Sequence, residues 1–266
     1  MHKTCKVAVK VKNLEMMAQG VIKSAMADGL ITFLWVFCAS TLGVLTSIIT
    51  STLGMVDGVS RLLITTTLVF IFLFIFGFVG EALGGASFNP SATAALYAVG
   101  IGSDTDFLFS AALRFPAQAI GAVGGALAIL QCMPTKYKHM LGGPSLKVDI
   151  HTGAIAECVL TFTLMFLVLF MVLRGPRSAL LRNLLLSIST VSLVVFGSKY
   201  TGPSMNPANA FGWAYVRNRH GTFEQFYVYW ISPFVGAILA AWSFLVFFPP
   251  PGKQIKAKEA SSRLTN

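Results

Sequence analysis

Six stretches of this chain, near residues 25–48, 61–81, 108–131, 152–173, 179–198 and 225–248, stay apolar for as long as an α-helix needs to cross a bilayer. About 20 residues cover the roughly 30 Å of hydrocarbon. A helix is the form in which such a segment satisfies its own backbone groups there. The expected fold is therefore an all-α membrane protein with six transmembrane helices. Composition agrees, since 55% of the residues are hydrophobic, only 11% are charged and 22 are Phe, which no soluble core of this size requires.

Two further apolar segments, 87–99 and 205–216, are too short to cross and read as re-entrant. The first lies in SFNPSATAALYAVG and the second in SMNPANAFGWAYV, so each opens on Asn-Pro. Asn is a preferred N-cap, and Pro is preferred at the first helical position, where its missing N–H costs nothing. Asn89-Pro90 and Asn206-Pro207 therefore mark helix starts. At mid-membrane, a helix start points unpaired N–H groups and a partial positive charge into the protein, and irregular backbone at that depth has to line a cavity or be buried.

The halves resemble each other in order. Ala27-Asp28 with Ile31-Thr32-Phe33 matches Ala156-Glu157 with Leu160-Thr161-Phe162, Asn89-Pro90 matches Asn206-Pro207, and residues 116–122 match 231–237. The expected organisation is one membrane domain over 1–266 with repeats of about 25–131 and 152–248, followed by a polar basic tail at 249–266. Three crossings per copy make the second copy enter from the opposite side, an inverted repeat whose broken helices meet near the midplane.

The chain holds 20 Lys or Arg against 10 Asp or Glu. With both termini cytosolic, that side carries Lys3, Lys6, Lys10, Lys12, Lys23, Arg114, Arg174, Arg177, Arg182, Lys253, Lys256, Lys258 and Arg263, which is 13 of the 20 positive charges. The excess sits in tails and loops and reads as membrane orientation, with no nucleic-acid patch. Cys5, Cys38, Cys132 and Cys158 have no paired spacing, so they are expected to be small buried residues without disulfide or metal roles. His2, His139, His151 and His220 fall in tails, loops or span ends and read as solvated, and Glu81 reads as interfacial. The N-terminus has no short apolar run ending in a cleavage site, so no removable signal is expected. Asp28 and Glu157 are costly inside spans, and their matched positions point to a structural or functional role. No nucleophile–base pair or metal cluster stands in any span, which argues against an enzyme.

The paired Asn-Pro half-helices, the acidic starts of spans one and four and the Gly-Ala turns of spans three and six resemble the aquaporin, or major intrinsic protein, family over essentially the whole chain. GGASFNP, NPANAFGWAY and the lysine-bearing tail are similar to the plant small basic subgroup. The resemblance implies a passive pore for water and small neutral solutes, without cofactors or metals. Asn89 and Asn206 would donate to a passing water at the pore centre, with Pro90, Ser91, Pro207 and Ala208 completing the motifs. Ser91 places a hydroxyl where the family usually has a methyl. The outer filter is carried over to Val69, Val194, Pro203 and Asn209, with Asn209 standing where the family normally has Arg. Ala210, where glycerol facilitators usually carry Asp, argues mildly against glycerol. Asp28 and Glu157 would anchor the re-entrant loops. The resemblance further implies a homotetramer and an endoplasmic reticulum membrane location.

Two other classes stay open at this point. A coupled transporter shares the inverted repeat but needs a charged substrate site. A non-conducting scaffold is suggested only by the altered filter, which also leaves room for a larger neutral solute.

Overall fold

The computed structural model describes residues 2–55, 57–102 and 107–249, so the tail beyond Pro249 lies outside the described residues. All regular structure among the described residues is helical. Six segments are long and apolar enough to cross a membrane: Glu15–Thr52, Gly58–Ala82, Phe107–Cys132, Ile150–Leu173, Ala179–Gly197 and Phe223–Phe247.

The first span is longer than expected, and broken. Helix α1 (His2–Ala39) has 38 residues, about 57 Å, well beyond the hydrocarbon thickness. It gives way to α2 (Leu42–Thr52) at Ser40 and Thr41. There Ser40 Oγ donates to the Val36 carbonyl at 2.5 Å and Thr41 Oγ1 to the Cys38 carbonyl at 2.6 Å. Such side-chain bonds compete with the helix's own ladder, which accounts for a break without proline or glycine at the break itself.

Local capping sets most other boundaries. Asp57 accepts from Ser60 N–H ahead of α3 (Gly58–Ala82), and Asp149 accepts from the N–H groups of His151 and Thr152 ahead of α7 (Ile150–Leu173). Ser178 caps α8 (Ala179–Gly197) through Leu181 N–H. The half-helices are α4 (Pro90–Ala98) and α9 (Pro207–Val216), each with its proline at the first position. Between them lie α5 (Phe107–Cys132) and the short α6 (Thr135–Lys138). The last span begins as α10 (Phe223–Phe226), widens into a π-turn at Tyr227–Ile231 and continues as α11 (Ser232–Phe247). Pro233 has no N–H for the carbonyl four residues back, so the widened turn falls where the α ladder loses a bond.

Packing repeats between the halves. Helix α1 lies against α5, and α7 lies against α11 in the same way. Glycine makes both approaches close: a Cβ on Gly121 would sit 2.1 Å from the Gly29 carbonyl oxygen, and one on Gly236 would sit 2.3 Å from that of Cys158. Small residues let membrane helices come this near. Each half-helix crosses to the other half, with α9 packing on α5 and α4 on α11, and α3 with α8 closes the remaining side. This is the expected six-span inverted repeat with two half-helices. Few residues of α3 and α8 are buried, as suits helices facing lipid.

The cysteines depart from expectation. Cys132 is exposed, and Cys38 and Cys158 are only half-buried. The scattered spacing did not reveal this; the side chain of Cys5 lies outside the described residues.

Candidate pore

The two half-helix starts are tied to each other. Asn89 Nδ2 donates to the Met205 carbonyl at 2.9 Å, and Asn206 Nδ2 donates to the Phe88 carbonyl at 2.9 Å. Each asparagine also caps its own helix: Asn89 Oδ1 accepts from Ser91 N–H at 2.9 Å, and Asn206 Oδ1 accepts from Ala208 N–H at 3.1 Å and Asn209 N–H at 3.3 Å. An amide carries two N–H donors, so the cross-bond uses one and leaves the other. Pro90, Pro207 and Ala208 are buried at the starts. Ser91 is fully buried, and its hydroxyl has no hydrogen-bond partner among the described residues.

Phe88 and Met205 entered the site only through their backbones, and residue type gives no signal for that. The Phe88 ring stacks on Trp35 with centroids 4.3 Å apart. Met205 adopts a left-handed φ of 50°, which is unfavourable for a side chain of its size. Its N–H donates to Glu157 Oε2 at 3.0 Å while its carbonyl accepts from Asn89, so bonds on both sides hold that conformation.

The two acids hold the loops. Glu157 accepts from Thr201 Oγ1 at 2.8 Å and from the N–H groups of Ser204 and Met205, both at 3.0 Å. Asp28 takes a single loop amide, Ser87 N–H at 2.8 Å. Its remaining capacity goes to Gln118 Nε2 at 2.7 Å and to Arg114, whose Nε and Nη2 reach Oδ2 and Oδ1 at 2.7 and 2.9 Å. Arg114 therefore does not belong with the free charges of one membrane face. Its position four residues before Gln118 puts both on the side of α5 that faces α1. The same guanidinium helps line a cavity of about 500 Å³ with Ser24, Gly84, Gly85, Tyr97 and Ser110, on the side of the molecule where α1 begins.

The four positions expected to form the filter divide. Asn209 is half-buried, and its Nδ2 donates to Ser204 Oγ at 3.2 Å. Pro203 packs over Gly197, where an added Cβ would lie 2.6 Å from the proline ring. Val194 stands one turn earlier on α8 and is 41% exposed, whereas Val69 on α3 is buried. Pro203 and Asn209 thus share one loop and helix start, and Val69 and Val194 lie on the two helices that pack together beside it.

The opposite mouth from the 500 Å³ cavity is partly covered by residues 133–149. Ser145 N–H and Lys147 N–H donate to the carbonyls of Thr201 and Tyr200, both at 2.8 Å, and Lys147 Nζ reaches the Ser198 carbonyl at 2.7 Å. Gly143 sits against Trp213, leaving no room for a Cβ. His139 and His151 are exposed, as is Glu81 at the end of α3, while His220 is half-buried with its ring 4.8 Å from that of Tyr215.

Six spans around two half-helices that meet start to start define a multi-pass membrane channel, a transport protein and not an enzyme. The chain belongs to the major intrinsic protein family, whose pattern it matches over residues 15–244. It is 59% identical to "Aquaporin SIP1-1" of Oryza sativa subsp. japonica over 92% of this chain and 100% of that protein, and 53% identical to "Aquaporin SIP1-1" of Arabidopsis thaliana over 90% and 98%. An aquaglyceroporin from Plasmodium falciparum shares the fold with a TM-score of 0.64 at 17% identity, covering 84% of this chain and 95% of that one.

Proposed function

We propose that the channel conducts water and other small neutral solutes in single file, through a centre formed by Asn89 and Asn206 with Pro90, Ser91, Pro207 and Ala208. The observation that carries this reading is the pair of reciprocal amide-to-carbonyl bonds between the half-helix starts. They hold both asparagines side by side with one N–H each to spare, and two helix N-termini add positive potential at the same point. A water accepting from these amides turns its hydrogens outward, which interrupts proton transfer along the file while water passes. The relatives' names point to water, and the missing filter Arg widens the range of neutral solutes.

The same reading takes the chain as one channel domain with repeats of about 25–131 and 152–248 and a polar tail from 249. Val69, Val194, Pro203 and Asn209 form its outer filter, and Asp28 and Glu157 anchor its loops. We place both termini in the cytosol, the protein in the endoplasmic reticulum membrane and four copies in the assembly, each with its own pore. These follow from the positive-charge bias and the subgroup resemblance.

Stopped-flow shrinkage of proteoliposomes holding the full chain, beside empty vesicles and an Asn206→Asp variant, tests the reading. Water flux above background that falls in the variant supports it. A folded, inserted protein with no flux of water or urea above empty vesicles leaves the non-conducting scaffold as the better account.

A further inference from the structure

Asn209 hangs its side chain on Ser204, and the direction of that bond is fixed by what Ser204 does next. Ser204 Oγ donates to the Asn206 carbonyl at 2.8 Å. A hydroxyl has one hydrogen, so toward Asn209 the Ser204 oxygen can only accept. It therefore selects the amino end of the Asn209 amide, seen as Nδ2 at 3.2 Å, and turns Oδ1 away from the loop. Both residues are held from behind, since Ser204 N–H is on Glu157 Oε1 at 3.0 Å and Asn209 N–H is on Asn206 Oδ1 at 3.3 Å. Asn209 is half-buried between Ala208 at 0% and Ala210 at 1% exposure, so on this stretch its side chain is the one that reaches open space.

The first half supplies an internal comparison. Ser87 occupies the matching place, with its N–H on Asp28 Oδ1 at 2.8 Å and its Oγ on the Asn89 carbonyl at 3.3 Å. The serine-to-carbonyl bond is thus common to both loops. Three residues past Asn89, however, stands Ala92, which has no amide to orient. The device operates in the second half alone.

We propose that Ser204 determines specificity by holding the Asn209 amide with its carbonyl oxygen toward the passage, so that the constriction offers a fixed acceptor and favours neutral solutes that bring N–H or O–H donors. The proposal deepens the channel reading above and rests on it. Pro203 has no N–H, and Val69 and Val194 have no polar side-chain atom, so the Asn209 amide is the polar side-chain group these filter positions present, with one N–H spent on Ser204 and Oδ1 as its acceptor. Ser204 acts through Asn209 and is a positioning residue.

The test uses the full chain in proteoliposomes, with water, urea and dimethyl sulfoxide as moving species. Urea is rich in N–H donors, and dimethyl sulfoxide has the same number of heavy atoms and no donor. The wild type is expected to raise urea flux over empty vesicles more than dimethyl sulfoxide flux. Ser204→Ala should lower the ratio of urea to water flux about fivefold, the worth of one hydrogen bond. Asn209→Ala, which leaves the serine in place, should lower it equally and stands in if the serine variant does not fold. Ser87→Ala should move urea and water together and leave the ratio unchanged. A ratio unchanged in a folded Ser204→Ala, or in Asn209→Ala, an equal fall in Ser87→Ala, or wild-type dimethyl sulfoxide flux matching urea would overturn the proposal while leaving the channel intact. A wild type that moves none of the three overturns the channel reading, and this one with it.

Discussion

Arg114 grips Asp28 through two nitrogens, with Nε 2.7 Å from Oδ2 and Nη2 2.9 Å from Oδ1, and the two side chains are 12% and 0% exposed. The pair fastens α5 to α1 directly beneath the first half-helix, because the same carboxylate also receives Ser87 N–H. The second half does this differently: among the described residues Glu157 has no cation within its shell of hydrogen bonds and spends its oxygens on Thr201, Ser204 and Met205. Charge balance supports one loop, and backbone amides support the other.

Removing the guanidinium leaves a buried carboxylate without its counter-charge, the costly half of breaking such a pair. Arg114→Ala is expected to destabilise the protein by about 3 kcal/mol. The double variant with Asp28→Asn should recover at least half of that, because the unpaired charge is gone. Thermal unfolding in detergent followed by tryptophan fluorescence gives both numbers, and a double variant no better than the single would rule the explanation out.

Glu157→Gln keeps the shape but replaces one acceptor oxygen with a donor that faces the Ser204 or Met205 N–H. A loss of about 2 kcal/mol is expected, the range for hydrogen bonds to a charged group. Hydrogen exchange at the amides of Ser204 and Met205 should accelerate, while exchange at Ser87, which is held by Asp28, should not.

The glycines differ in the space around them, and three of them test the helix packing. Gly121→Ala and Gly236→Ala would each drive a methyl into backbone, 2.1 Å from the Gly29 oxygen and 2.3 Å from the Cys158 oxygen. Each should cost about 3 kcal/mol or more by forcing spans apart. Gly20→Ala, with nothing within 4 Å of the added atom, should be neutral or stabilising by up to about 1 kcal/mol. Unfolding midpoints of the three variants that fail to separate this way would contradict the packing described.

Asp149 caps α7 outside the membrane, and hydrogen bonds from Thr152 hold its carboxyl below the usual carboxylate range. A carboxylate whose folded value is depressed contributes stability above its unfolded value, and that contribution fades as pH falls through the folded one. Stability should therefore be flat with respect to this group from neutral pH down to about pH 4 and decline below it. Asp149→Ala should flatten that acid limb, as read from unfolding midpoints across an acid pH series.

The spans and both half-helix starts were legible in the residues, because hydrocarbon thickness fixes a length and Asn-Pro fixes a cap within two positions of itself. Observed boundaries fall within a few residues of expectation for five of the six spans, as with Ile150–Leu173 against 152–173. The first span was underestimated, since nothing in the pattern before Val21 distinguishes a helix that continues past the membrane from a tail. Asp28 stood out as an expensive intramembrane charge, yet its partner did not. Arg114 lies 86 residues away in sequence, next to Leu and Phe, where it read as one more charge at a membrane face.

Sequence alone determined what each segment can do by itself: cross the bilayer, start a helix halfway through it, or carry an acid that must be neutralised. Those outcomes depend on local length, hydropathy and capping, which neighbouring residues specify. Only the tertiary structure decided who answers whom, because such bonds join atoms that the chain brings together across more than 100 residues. It gave the Asn89 amide to the Met205 carbonyl and the Asn206 amide to that of Phe88.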